Sequence, residues 1–230
     1  ANAAAVFTKN LFQAAPVTLS RAALKKSHGR VKAVVVNAGC ANAVTGAAGT
    51  EAAKRVQERA AQLAGCAREE VFVASTGVIG VVLPDEKVRV FLPDAFARLS
   101  AGGLEAVSRA ILTTDAAPKV AQATFALKEA VDGTFNAISV DGDTSTNDTV
   151  LLLSSGKAGG LEMKAMGDAA AFRAALVKVC GDLAWRIVRD GEGAKRVMEI
   201  TIEGAATVRE ARLAAHAVAT SPLVKTALYG

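Results

Sequence analysis

Five short polar stretches interrupt an otherwise apolar chain, and each holds residue types able to do chemistry. The densest is Asp141-Gly142-Asp143-Thr144-Ser145-Thr146-Asn147-Asp148. An EF-hand needs glycine at its sixth loop position and glutamate at its twelfth; Thr146 and Leu152 stand there, so a calcium loop of that kind is excluded. Two aspartates at i and i+2 after the apolar run Ala137–Val140 also suit a Mg²⁺-dependent aspartyl phosphatase, with Asp190 and Glu192 as candidates for its second acidic loop. A plainer reading has Thr146 or Asp148 cap the next element. In Ser75-Thr76-Gly77-Val78-Ile79-Gly80, a threonine hydroxyl beside a glycine amide offers two donors to one developing oxyanion. The alternative is a tight strand-to-helix turn; the GxxxxGK[ST] spacing of a phosphate loop is absent. Asn37-Ala38-Gly39-Cys40-Ala41-Asn42-Ala43 allows close backbone approach and has two asparagines to orient polar groups, or is simply a turn. Thr113-Thr114-Asp115 follows an apolar helix end and reads as a local cap. In Asp190-Gly191-Glu192-Gly193, the Glu192 carboxylate between two glycines suits a substrate ammonium, or is merely solvated.

These loops must be carried by alternating elements. Residues 4–7 and Val31–Val36, Val71–Ala74, Lys119–Phe125, Ala137–Val140, Val150–Leu153 and Val197–Ile202 read as strands. Helical spacing runs from Thr50 to Ala64, over residues 94 to 111 with Gly102-Gly103 as an interruption, and from Ala126 to Val131. It recurs from Asp168 to Arg189, where Phe172, Leu176, Val179, Leu183 and Ile187 form a stripe beside Trp185, and over residues 207 to 219. Ser221-Pro222 starts another element. The alternation implies an α/β or interleaved α+β class. Lys119–Phe125 passes into Ala126–Val131 with almost no turn, an abrupt junction.

Composition narrows the function classes. A chain of 230 residues with 51% hydrophobic content builds a core without staples, and 4% aromatics puts that core on Val, Leu, Ile and Ala. The net charge of +5 is mild and scattered, apart from Lys25, Lys26, Arg30 and Lys32 around His28. That run lacks interleaved aromatics and reads as a solvated turn, so no nucleic-acid partner is expected. Cys40, Cys66 and Cys180 are far apart and odd in number, which argues against a disulfide framework or zinc site and for a reducing compartment. Two histidines leave little for a metal site or a Ser-His-Asp triad. No apolar run reaches roughly 18 residues, so no membrane span is expected. The chain opens at Ala1, already in an apolar run, and stops at Leu228-Tyr229-Gly230, the expected look of a fragment or processed piece.

In order along the chain, the segments resemble the glutamate N-acetyltransferase (ornithine acetyltransferase) family of arginine biosynthesis. Ala4-Ala5-Val6-Phe7-Thr8-Lys9-Asn10 with Ala14-Ala15-Pro16-Val17 is similar to its N-terminal signature. The loops from Asn37, Ser75, Thr113, Asp141 and Asp190, and the closing Ser221-Pro222-Leu223-Val224-Lys225-Thr226-Ala227-Leu228-Tyr229-Gly230, follow suit. The resemblance implies stacked sheets between helix layers, αββα, divided here into residues 1–125 and 126–230. It implies acetyl transfer from N-acetylornithine to glutamate through a threonine at a self-cleaved terminus. Thr76 and Gly77 would form the oxyanion hole; Thr113 and Glu192 would bind substrate, Glu192 at an amine. No cofactor is implied beyond acetyl-CoA as an alternative donor. Homo-oligomers or heteromers of cleaved chains are implied, in the mitochondrial matrix for a eukaryotic member and the cytoplasm for a bacterial one.

The chain also departs from the family pattern. The Lys-Gly-x-Gly-Met segment and the Asn-Met-Ala-Thr-Met-like segment, which supply a substrate-binding lysine and the nucleophile, have no match between Thr113 and Asp141. Thr124 is the nearest threonine, but it stands in strand-like alternation and is not nominated. Gly193-Ala194-Lys195 lacks the threonine that usually follows the alanine. The expectation is therefore an acetyltransferase by family whose literal chain is inactive, with a non-catalytic binding or assembly protein and the aspartyl phosphatase as alternatives.

Overall fold

The computed structural model describes residues 1–103, 127–154 and 168–229. They are mixed α/β and group into two compact units that interleave along the sequence. The first combines Ala1–Thr113 with Thr144–Ala169; the second combines Thr114–Asp143 with Ala170–Gly230. The expected boundary at 125 and the strand expected at 119–125 lie outside the described residues.

In the first unit, β1 (Asn2–Phe7) pairs antiparallel with β4 (Thr149–Ser154), Asn2 opposite Ser154 and Phe7 opposite Thr149. Helix α1 (Ala15–Lys26) has Pro16 in its first turn, where the fixed φ of proline fits. No helix was expected there. Lys25 and Lys26 lie in its last turn, and exposed His28 (φ 52°) makes the turn that follows.

Strands β2 (Ala33–Asn37) and β3 (Val71–Ser75) pair in parallel, Ala33 opposite Val71 and Asn37 opposite Ser75. A parallel pair needs a crossover, and α2 (Gly46–Ala64) supplies it. Its buried Ala52, Ala53, Val56, Ala60 and Ala61 recur at helical spacing, and it stops at Gly65 in a left-handed conformation. Alternation divides the parallel pair. Val35, Val71 and Val73 join clusters with Val56, Ala60 and Ala61 of α2. Val34 and Phe72 join Ala23 of α1 and Ala3 and Leu151 of the antiparallel pair. Helix, sheet and sheet thus follow one another as layers.

The outer edge of β3 is closed by side chains. Backbone groups of residues two apart along a strand point the same way. Gln57 Nε2 donates to Val71 O (2.7 Å). The buried Ser20 hydroxyl donates to Val73 O (2.7 Å) and accepts from Val73 N (2.8 Å). Asn147 Nδ2 donates to Ser75 O (2.7 Å).

Helix α3 spans Asp85–Ala97, so it starts before the expected residue 94; the expected helix beyond residue 103 lies outside the described residues. Its start is written in Asp85-Glu86 directly after Pro84, where acidic side chains meet the positive helix end. Pro93 inside it costs one backbone bond yet does not break it, so reading the helix from residue 94 misses its first half.

The second unit holds α4 (Leu127–Gly133), a short 3-10 turn at Phe135–Ala137, and α5 (Asp168–Arg189). It continues with α6 (Val208–Ala219), capped by Thr207 Oγ1 on Glu210 N (3.1 Å), and α7 (Pro222–Tyr229). Ala130, Leu176 and Cys180 form its buried cluster, with Phe135 against it. Trp185 is half exposed, an edge residue of α5. The strands expected at 137–140 and 197–202 do not form. Alternation describes a chain that can be extended; only a hydrogen-bonded neighbour makes it a strand, and neither segment has one among the described residues. No helix among the described residues is long and apolar enough to cross a membrane.

Candidate active site

Beyond their parallel ladder, β2 and β3 run on into two loops that stay paired. Thr76 N donates to Asn37 O (3.0 Å), Val78 N to Gly39 O (3.4 Å) and Ala41 N to Val78 O (2.9 Å). Gly77 lies between the amides of Thr76 and Val78, both used. Its own amide and the Thr76 hydroxyl make no hydrogen bond to any described residue. Thr76 and Gly77 are half-buried, neither packed in the core nor fully solvated.

Glycine is required at position 77. Its φ is +129°, and a Cβ there would lie 2.3 Å from the Gly39 carbonyl carbon and 2.6 Å from Cys40 N. The two loops therefore cross backbone against backbone, as the small residues of the Asn37 loop allow.

The asparagines of that loop orient backbone. Asn37 Oδ1 accepts from Ser75 Oγ (2.6 Å) while Asn37 Nδ2 donates to Cys40 O (2.9 Å). Asn42 is fully buried at φ 51°. Its Nδ2 donates to Gly49 O (2.9 Å), and its Oδ1 accepts from Leu83 N (3.3 Å) and Thr45 Oγ1 (3.0 Å). The Cys40 thiol donates to Val81 O (3.3 Å).

The Asp141–Asp148 stretch divides at the unit boundary. Asp141 and Asp143 belong to the second unit, exposed, with Asp143 N bonded to Asp141 Oδ1 (2.8 Å). The strand expected to present them is absent, so the phosphatase arrangement lacks its scaffold. Thr146 and Asp148 cap no helix, since strand β4 follows them. Ser145 to Asp148 belong to the first unit, and Asn147, which sequence reasoning passed over, reaches both loops of the turn. Nothing in its own stretch marked it; its partners at Ala41 and Ser75 are 106 and 72 residues away.

Glu192 is exposed in the turn after α5, beside Gly193 at φ +72°. It belongs to the second unit, Thr76 and Gly77 to the first. Thr113 lies outside the described residues. Two surface hollows, one lined by Arg59, Glu86, Arg89, Val90 and Pro93 and one by Leu11, Phe12, Val44 and their neighbours, include neither Thr76 nor Gly77. Hydrogen-bond geometry, not concavity, singles out the turn. The three cysteines are unpaired. Burial pushes the Cys180 thiol up, and the Cys66 thiol likewise, so neither resembles an activated nucleophile.

Fold and turn together define a mixed α/β protein whose parallel strand pair ends in an amide beside a hydroxyl, neither with a partner among the described residues. Comparison with known proteins makes this specific. The model of the ArgJ family matches residues 1–128 and 123–230. The mitochondrial arginine biosynthesis bifunctional protein ArgJ of Podospora anserina is 42% identical over 279 residues, covering 99% of this chain and 59% of that protein. Its counterpart in Chaetomium globosum is 41% identical over 280 residues, again 99% and 59%. The chain belongs to the ArgJ family. It spans about 59% of the length of these curated relatives. Among solved structures, the ornithine acetyltransferase of Mycobacterium tuberculosis complexed with ornithine is 35% identical, with a TM-score of 0.49, over 52% of this chain and 65% of that one.

The alignment is instructive at one place. It runs over 279 residues although the chain has 230, so the Podospora protein carries residues that have no counterpart here. The family match breaks into two pieces around residues 123–128, where Phe125 meets Ala126.

Proposed function

We propose that this chain carries the acyl-binding half of an acetyl transfer between N-acetylornithine and glutamate in arginine biosynthesis. Gly77 N–H and the Thr76 hydroxyl receive the acetyl oxygen as it becomes negative, the role that preorganised donors play in acyl transfer. Thr113 and Glu192 bind the amino-acid part, with the Glu192 carboxylate at an amine. The reaction needs no cofactor, with acetyl-CoA as an alternative acetyl donor. The protein works in the mitochondrial matrix, as the fungal relatives' names suggest, and assembles as an oligomer of its own chains.

One observation carries this reading: the Gly77 amide and the Thr76 hydroxyl have no partner among the described residues, while the amides on either side of Gly77 are bonded. Buried backbone amides are normally paired, so a half-buried one without a protein partner is open to a ligand. The literal chain matches no nucleophile segment at the junction where the family match breaks. On this reading these 230 residues bind without turning over.

The test is a titration of the ¹⁵N-labelled chain with N-acetyl-L-ornithine. The Gly77 amide resonance should shift downfield and saturate, and Thr76→Val should weaken binding by about tenfold, the worth of one hydrogen bond. Acetyl transfer to glutamate should be absent. A Gly77 resonance that ignores the ligand would sink the oxyanion assignment.

A further inference from the structure

The peptide unit joining Ser75 to Thr76 is held at both ends. Its N–H, on Thr76, donates to Asn37 O (3.0 Å), and its C=O, on Ser75, accepts from Asn147 Nδ2 (2.7 Å). A peptide plane fixed at both ends cannot rock about its Cα–Cα axis. Its orientation sets where the Thr76 side chain leaves the backbone and where the next amide, Gly77 N–H, begins.

Asn147 is built for this task. Its carboxamide has two N–H groups, and each serves a different loop: Ala41 O at 2.8 Å and Ser75 O at 2.7 Å. Both partners are carbonyl oxygens, which only accept, so the atom facing them is the nitrogen. Its Oδ1 accepts from Thr146 Oγ1 (2.6 Å), and its own N–H donates to Ser145 Oγ (3.1 Å). The strand of chain bearing it is tied down on the far side as well. Thr8 Oγ1 donates to Ser145 O (2.6 Å), Ala14 N to Thr146 O (3.1 Å) and Thr8 N to Asp148 O (2.9 Å). Asn147 thus transmits the position of the N-terminal arm to the crossing of the Gly39 and Gly77 loops.

We propose that Asn147 is a positioning residue for the Thr76–Gly77 turn, clamping the Ser75 carbonyl and the Ala41 carbonyl at a fixed separation so that the Gly77 amide stays free and aimed. The proposal rests on the oxyanion reading of that turn.

It is tested on the full chain with Asn147→Ala, and with Asn147→Asp, which keeps the shape but sets a carboxylate against two carbonyls should the alanine variant not fold. Ser20→Ala, which unclamps Val73 on the same strand edge, is the control. Two quantities are measured: hydrogen exchange of the Thr76 amide, which is bonded to Asn37 O in the clamped peptide, without ligand, and the dissociation constant for N-acetyl-L-ornithine. Each Asn147 variant should speed Thr76 exchange and weaken binding by about tenfold or more, the equivalent of one lost charge-free hydrogen bond. Ser20→Ala should move both by less than about twofold. Thr76 exchange and binding unchanged in a folded Asn147 variant, or equally changed in Ser20→Ala, overturn the proposal. If the wild-type Gly77 resonance ignores the ligand, the oxyanion reading falls instead, and exchange alone decides whether Asn147 holds the turn.

Discussion

At the scale of single residues, the charged group with the clearest structural role is Asp85. It opens α3, is almost fully buried, and takes Arg55 as a two-point partner, Nε to Oδ2 and Nη2 to Oδ1, both at 2.8 Å. Arg89 adds a third bond at 3.0 Å. The Arg55 guanidinium holds the Asp85 carboxyl below the usual carboxylate range, and burial opposes it only in part. A carboxylate with a depressed folded-state pKa contributes stability that is present above its unfolded value, near 3.8, and is lost as pH falls through the folded value. Asp85→Asn should therefore lower the thermal midpoint by a few degrees at pH 7. The gap to wild type should close below about pH 4. Melting curves across that range check this, and a gap that persists in acid would contradict it. From residue type alone, Thr76 beside Gly77 can be read as a donor pair or as a tight turn. The positive φ and the 2.3 Å approach that make Gly77 irreplaceable depend on Gly39, which is distant in sequence.

Elements show a second kind of legibility. β2, β3 and β4 were readable from short apolar runs, β-branched in β2, and α5 from its stripe, because burial imposes a pattern on the sequence. α1 and the first half of α3 were not, since their starts are marked by Pro16 and Pro84, which read as breaks until the helix beyond them is seen. Edge closure was illegible too. Ser20 and Gln57 look like ordinary polar helix positions, yet both are buried, and between them they satisfy three backbone groups of β3. Ser20→Ala leaves Val73 N–H and C=O without a partner in the core. It should destabilise the protein by roughly 2–4 kcal/mol in chemical denaturation, against well under 1 for an exposed serine. A loss below about 0.5 kcal/mol would mean that water reaches that edge.

For the whole molecule, burial is unevenly shared. Among the described residues, four buried clusters knit the first unit together, around α2 and the two sheets. In the second unit the described residues form one, and α6 buries no residue, with Val208 and Leu213 largely exposed. Local opening follows contact density. Amides of Val71–Val73 should exchange at least about a hundredfold more slowly than those of Leu213–Ala217, read by hydrogen exchange with mass spectrometry. Equal rates would show that α6 is covered in solution by something beyond this chain.

The sequence by itself determined the mixed α/β class, the order of most elements, and the family, because each rests on local pattern or on motifs read in order. It also marked the Phe125–Ala126 junction, near which the family match divides. Only the tertiary structure decided which alternating segments find a partner among the described residues: β1 and β4 do, while 137–140 and 197–202 do not. It alone showed that Asn147 serves the turn while Asp141 and Asp143 are exposed. The reason is physical. Side-chain period is a property of one segment, whereas a hydrogen bond between residues 75 and 147 exists only once the chain has brought them together.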